Sequence, residues 1–288
     1  MGLREAIDSG KFIVTSEVGP PKGTDIHHVL EDAELVRGRV DGINVTDIQA
    51  SAMRLGSMVT CHLLREAGFN PIFQMTCRDR NRLALQSDLL SASVLGITDV
   101  LCLTGDYTTL GDHPQAKPVF DLDSVSLLRA AKGLTEGRDM AGNELQGAPP
   151  FTLGAVVNPG AEPLEPQIIK LEQKVEAGAQ FIQTQAVYDV PAFERFVKAA
   201  SHINVPILVG IVLLKSAGMA KYMNRSVAGV FVPDPLIQEM SDAEDRVAAS
   251  VNIAARLIKE LGPMARGAHI MPIGWDKHVP KVLDAAEL

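Results

Sequence analysis

Short apolar runs alternate with longer stretches of helical periodicity along the whole chain. The runs lie at about 11–18, 42–47, 71–77, 98–103, 151–157, 181–185, 205–213 and 267–271. They are too short for helices, and most carry apolar residues in succession, as strands covered on both faces do. Between them, apolar residues spaced three and four apart predict helices over 24–37, 52–67, 78–95, 124–132, 166–177, 190–201, 216–224, 235–261 and 276–286. Gly68, Gly96 and Gly178 stop three of these helices. Two segments have no clear period. One, at 107–120, is polar and holds Gly111, Pro114 and Pro118; the other, at 133–150, is glycine-rich and reads as a loop or small hairpin.

Eight strands, each followed by a helix, predict an α/β fold of the TIM (β/α)8 barrel type, a single domain over 1–288. A doubly wound sheet is the alternative architecture. However, no GxGxxG follows the first strand and no GxxxxGK[ST] occurs anywhere. In a barrel, every strand ends at one mouth, where ligands bind. The stretch Thr98–Asp106 shows the pattern: an apolar run that stops abruptly in Thr104-Gly105-Asp106. There Asp106 either caps a turn or offers a carboxylate to a ligand. The other strand ends supply Glu17, Thr46 with Asp47, Gln74 with Thr76, Asn158, Gln183 or Gln185, Lys215 and His269.

This set is rich in amides and hydroxyls and includes three carboxylates. Amides donate and accept, and carboxylates hold ring N–H groups, so the mouth suits a flat heterocycle with several hydrogen-bonding edges. Glu17 lies in an apolar strand. It is either paired with a buried Lys or Arg, or desolvated in a way that favours its protonated form and fits it for general acid work. No HExxH, HxH or CxxC motif is present, so no metal is expected. No serine stands in a nucleophile elbow. Met53, Met58 and Met75 read as core packing, and the histidines other than His269 as surface or satisfied residues.

Composition narrows the class further. Of 288 residues, 46% are hydrophobic, enough for a large core. The formal net charge of -8 argues against a nucleic-acid partner. No run is long enough to span a membrane. Residues 1–6 lack a secretory core, and Ala6 breaks the myristoylation pattern. Cys61, Cys77 and Cys102 form no disulfide framework and read as buried thiols, which fits a cytoplasmic location.

Several blocks, in order along nearly the whole chain, resemble the methylenetetrahydrofolate reductase family. Thr15-Ser16-Glu17-Val18-Gly19-Pro20-Pro21-Lys22 is similar to the family's opening strand. Asn44-Val45-Thr46-Asp47 matches its Val-Thr strand, Gln74-Met75-Thr76-Cys77 its His-Leu-Thr-Cys, and Leu103-Thr104-Gly105-Asp106 its Arg-Gly-Asp. Lys174–Ala179 followed by Ile182–Asp189 is the most specific block, two motifs at the family's separation. The resemblance implies a barrel that holds a flavin non-covalently and reduces 5,10-methylenetetrahydrofolate to 5-methyltetrahydrofolate.

By position, the resemblance makes Glu17 the general acid and sets Asp106 beside both flavin and pterin. Gln185, with Gln183, falls to the folate. Thr46, Gln74, Thr76, Thr104, Gly105, Asn158 and Lys174 fall to the flavin. Gln74 stands for the family's His, Thr104 for its Arg, Asn158 for its Tyr, and Gln167 for an acidic residue. With these differences and only 5% aromatic residues, the flavin is FAD or FMN. The electron donor is NADH, NADPH or a partner electron-transfer subunit. The assembly is a homo-oligomer or a complex with such a subunit. A flavin-free barrel that moves a methyl group from 5-methyltetrahydrofolate to a corrinoid protein is the competing function.

Overall fold

In the computed structural model, which describes residues 2–288, eight parallel strands close into one barrel in sequence order. The strands are β1 (Ile13–Val18), β2 (Gly42–Val45), β3 (Pro71–Thr76), β4 (Asp99–Leu103), β5 (Thr152–Val157), β6 (Phe181–Ala186), β7 (Ile207–Val212) and β8 (Gly267–Met271). Closure is made by β1 on β8, with Thr15 opposite His269. The single-domain (β/α)8 expectation agrees with this architecture.

The helices form the outer layer: α2 (His27–Glu34), α3 (Ser57–Glu66), α4 (Arg82–Val94), α5 (Ser124–Thr135), α6 (Glu165–Glu176), α7 (Val190–Ala199), α8 (Ala217–Ser226), α9 (Asp234–Asp242), α10 (Arg246–Leu261) and α11 (Val279–Ala286). Side-chain caps start several of them. Asn81 accepts from Leu83 N and Ala84 N, and Asp123 from Ser126 N. Asp245 caps α10, which divides the single helix expected over 235–261 into α9 and α10. The helix expected from 52 starts only at Ser57, because residues 49–51 form a separate 3-10 turn. Within 133–150 a lone antiparallel bridge joins Arg138 to Glu144.

One helix escapes the periodicity reading. α1 (Leu3–Ser9), only two turns long, precedes β1. Its Leu3 and Ala6 are buried with Ile13, Ile72, Leu101, Phe181 and Leu208, a small apolar cluster at the start of the strands. These five strand residues point into the barrel and α1 closes that end. Gly154 makes room for the Phe181 ring, since a Cβ there would stand 2.2 Å from its Cζ.

Cys61, Cys77 and Cys102 are free and buried. Desolvation pushes the Cys77 thiol up to about 12 and raises the others, so all three are inert apolar fillers. Met75 is fully buried and Met58 packs on the core, but Met53 is 51% exposed, because its segment is a loop rather than a helix. His62 and His278 also depart from expectation: each has a buried Nδ1 with no partner. Among the described residues, no helix is long and apolar enough to cross a membrane.

Candidate active site at the barrel mouth

Along each strand the inward positions alternate, and their character changes with height. Above the apolar floor comes a polar layer. Thr15 Oγ1 lies 2.9 Å from His269 Nδ1. Asn44 and Gln183 exchange amide bonds of 2.8 and 3.0 Å, and Gln183 Nε2 also donates to Thr15 Oγ1. These groups are buried and satisfy one another, as a polar layer inside a barrel must.

One layer higher the barrel opens into a cavity of about 550 Å³, the size of a small-molecule site. Glu17, Thr46, Gln74, Thr76, Thr104, Gly105, Asp106, Asn158, Lys174, Gln183 and Gln185 all line it. Lys215 does not. It lies past β7, its Nζ 5.8 Å from the centre of the Trp275 ring.

Glu17 forms the wall at the end of β1. Its Oε2 accepts from Gln74 Nε2 at 3.1 Å and lies 3.8 Å from His269 Nε2. Its Oε1 accepts from Gln49 Nε2 at 3.3 Å. Among the described residues neither Lys nor Arg pairs with it, so the buried ion pair, one of the two readings of this residue, is not what the structure forms. Across the cavity, Gly105 takes a left-handed φ of +95°, and a Cβ there would crowd the Thr76 and Arg78 side chains. This turn presents Asp106, which is exposed.

Gln185 owes its position to an irregularity. The register between β6 and β7 slips between Gln183 and Ala186. Such a bulge re-aims a side chain at a barrel rim. Thr184 Oγ1 fixes it, donating to Gln185 O and accepting from Gly210 N.

Lys174, on α6, reaches the cavity with its Nζ bonded to Val156 O at 2.6 Å. Desolvation, reinforced by the nearby Lys170, brings its ammonium down to about 8. Thr46 Oγ1 is buried and has no hydrogen-bond partner.

Other predicted residues are already engaged by the protein. Gln183 forms the floor, its amide tied to Asn44 and Thr15. Asn158 Nδ2 donates to Ala228 O, and its Oδ1 accepts from Gly160 N, which ties the loop after β5 to the one after α8. Thr104 Oγ1 accepts from Ser124 N at the start of α5. Asp47 is a brace: it accepts from the Thr76 amide and hydroxyl, from Ser57, and from Arg80 in a buried ion pair.

The strand-end reading misses Arg78, which sits two positions past β3 and is 1% exposed. It donates to Ile48 O and Asp106 O, joining the turns after β2 and β4, with Asp79 as its counter-charge. Gln49 is missed too, because it belongs to a turn. Lys170 and Gln173 of α6 also line the cavity. Their signal is their spacing from Lys174, four and one positions earlier on the same helix. Among the described residues, no cluster of metal-binding side chains occurs.

A family model described as methylenetetrahydrofolate reductase matches residues 2–287. The chain belongs to the methylenetetrahydrofolate reductase family. It is 30% identical over 204 residues to methylenetetrahydrofolate reductase 2 of Schizosaccharomyces pombe, covering 65% of this chain and 30% of that one. To the 5,10-methylenetetrahydrofolate reductase of Pectobacterium carotovorum it is 24% identical, covering 88% and 82%. The chain thus spans about a third or less of the fungal relative and of a nematode one at 24% coverage. A Clostridium thermocellum structure, described as binding two copies of 5-methyl-5,6,7,8-tetrahydrofolic acid, shares the fold. Its TM-score is 0.65 at 17% identity, with 99% of this chain and 98% of that one covered.

Proposed function

We propose that this chain binds a flavin non-covalently and reduces 5,10-methylenetetrahydrofolate to 5-methyltetrahydrofolate. The observation that carries the reading is Glu17: a buried carboxyl on the wall of the cavity at the barrel mouth, held by two amides and, among the described residues, paired with no Lys or Arg. Family membership supports the same reaction.

The residues present fit a flavin. Thr46 offers a buried hydroxyl with no partner inside the protein. Lys174 offers a desolvated ammonium with a single protein acceptor. With Gln74, Thr76 and Gly105 they would hold the ring and its polar tail, on a rim that Thr104 and Asn158 brace through their bonds to Ser124 N and Ala228 O. When bound, the flavin supplies the hydride.

The chain's own residues handle the proton. Glu17 gives its proton to the substrate nitrogen that leaves the bridging methylene carbon. That C–N bond breaks and an iminium forms with the other nitrogen. The Asp106 carboxylate stabilises this cation, and Gln185 holds the pterin. Hydride addition to the iminium carbon completes the methyl group. One proton and one hydride are consumed per turnover.

The donor is NADH, NADPH or an electron-transfer partner. Relatives carry both nicotinamides in their names: NADPH in Caenorhabditis elegans and NADH in Oryza sativa.

The test is the visible spectrum of the purified protein after reconstitution with FAD or FMN. The expected result is a flavin band that bleaches with a nicotinamide donor or a partner protein and recovers on adding methylenetetrahydrofolate. A protein that takes up neither flavin yet transfers a methyl group from 5-methyltetrahydrofolate would overturn the proposal.

A further inference from the structure

Among the described residues, three of the six non-glycine residues with a left-handed φ lie in the turn after β2. Ile48 (φ 48°, ψ 52°), Ala50 (φ 53°) and Ser51 (φ 57°) are all left-handed, and none is glycine or asparagine. For a β-branched residue such as Ile48 this is a genuine outlier, one that the surroundings must impose.

Those surroundings are visible. Arg78 Nη2 donates to Ile48 O. Ser51 N donates to Ile48 O, and Ala52 N to Gln49 O. The loop after β4 presses on the turn through Gly111, where a Cβ would stand 1.8 Å from Ser51 O. Asp112 ties the same loop to Met53 N. Gln49 lies in the middle of this clamped turn, and its amide reaches Glu17 Oε1.

The two oxygens of Glu17 are unequally served. Gln74 and His269 converge on Oε2, while Oε1 has Gln49 alone. An amide is the partner that suits a group changing protonation. Its N–H donates to an ionised oxygen, and after a half-turn its C=O accepts from a protonated one.

We infer that Gln49 is the positioning residue for the proton-bearing oxygen of Glu17, and that the clamped left-handed turn exists to aim it. The inference rests on the reading of Glu17 as the acid. The charged and titratable groups that face Glu17 are His269 on β8 and Asp276 beyond β8, and Asp276 in turn faces Asp32 and Lys215. None of them contacts Oε1 within the hydrogen bonds formed.

Two measurements on Gln49→Met, close in shape but without the amide, test it. In flavin-free protein labelled with 13C at glutamate carboxyls, loss of the donor should displace the Glu17 titration to higher pH by about half a unit or more. In the reconstituted enzyme, the pH profile of the folate half-reaction should move with it. Its maximal rate should fall about tenfold, while KM for the folate and reduction by the donor stay within about twofold. Ile48→Gly, which relieves the strain but keeps Gln49, should displace the titration the same way by less. It also separates the amide's effect from misfolding.

A Gln49→Met protein whose Glu17 titrates as in the wild type overturns the inference. So does one that changes only the folate KM. The carboxyl titration needs no substrate, so it decides the inference even if wild-type protein reduces no folate, the result that would sink the functional reading instead.

Discussion

The two ends of this barrel are built from the same eight strands and obey opposite rules. At the closed end, Ile13, Ile72, Leu101, Phe181 and Leu208 meet under α1, and packing decides everything. At the open end, Glu17, Gln74, Gln185 and Lys174 surround a cavity, and hydrogen bonding decides. Between them lies a self-satisfied layer of Thr15, Asn44, Gln183 and His269. Polar residues reached from strand interiors are therefore not all functional. Height along the strand separates those that complete the barrel from those left with capacity for a ligand.

The comparison breaks most sharply at Glu17. Glu17→Gln removes the proton but keeps the shape and the bonding capacity toward Gln74. We expect folate reduction to drop by about 10³-fold, near 4 kcal/mol of barrier, with reduction of the flavin by its donor intact. Stopped-flow measurement of the two half-reactions separates the effects. Equal losses in both would deny Glu17 its role as acid.

At the other end, Phe181→Ala should cost about 3–5 kcal/mol of stability, because Gly154 beside it cannot fill the hole. Chemical denaturation measures it. The same variant should leave the folate rate per folded molecule unchanged. A variant that keeps its stability but loses activity would mean that the two ends are not separable.

Most of the barrel was legible from sequence, and the reason is local. Each strand announces itself by an apolar run and each helix by its period, so the strand ends, including Glu17, Gln74, Asp106 and Gln185, could be listed in order. What sequence could not carry is pairing across the barrel. Gln183 and Asn44 are 139 positions apart, and only closure shows that their amides answer one another. α1 was invisible because seven residues hold too little period. Arg78 and Gln49 were hidden because they lie in turns, where bonds to distant carbonyls and carboxylates, rather than periodicity, set the conformation.

Lys174 sharpens the comparison from the open end. Its ammonium titrates near 8 rather than at its ordinary 10.5 because it is desolvated. The folded state therefore resists carrying that charge. The contribution of Lys174 to flavin-free stability should be least favourable below pH 8 and improve as pH passes from 8 to 10.5. Lys174→Met should stabilise the flavin-free protein by about 2–3 kcal/mol at pH 7. The same change should weaken flavin retention, and wild-type retention should weaken as pH rises above 8. Thermal scans with and without flavin test both; a variant destabilised in both states would contradict this account.

The smallest expected effect comes from the exception at the closed end. Asp99 starts β4 and is 6% exposed. Desolvation lifts its carboxyl from 3.8 to about 6, against a hydrogen bond with Thr152 and the more distant Arg65 and Arg4. The sign follows from proton binding. Between about 4 and 6 the folded chain holds a proton that the unfolded chain has released, so the contribution of Asp99 to stability falls as pH rises through that window. Above pH 6 the buried charge stays as a penalty. Asp99→Asn removes the charge but can still bond Thr152, and should stabilise the protein at pH 7.5 by up to about 2 kcal/mol. The gain should vanish below pH 4, where Asp99 is neutral in both states. Denaturation midpoints of the two proteins from pH 4 to 8 should converge at the acid end. Parallel curves would mean that Asp99 is held charged by Arg65 and Arg4, and that the closed end also depends on electrostatics.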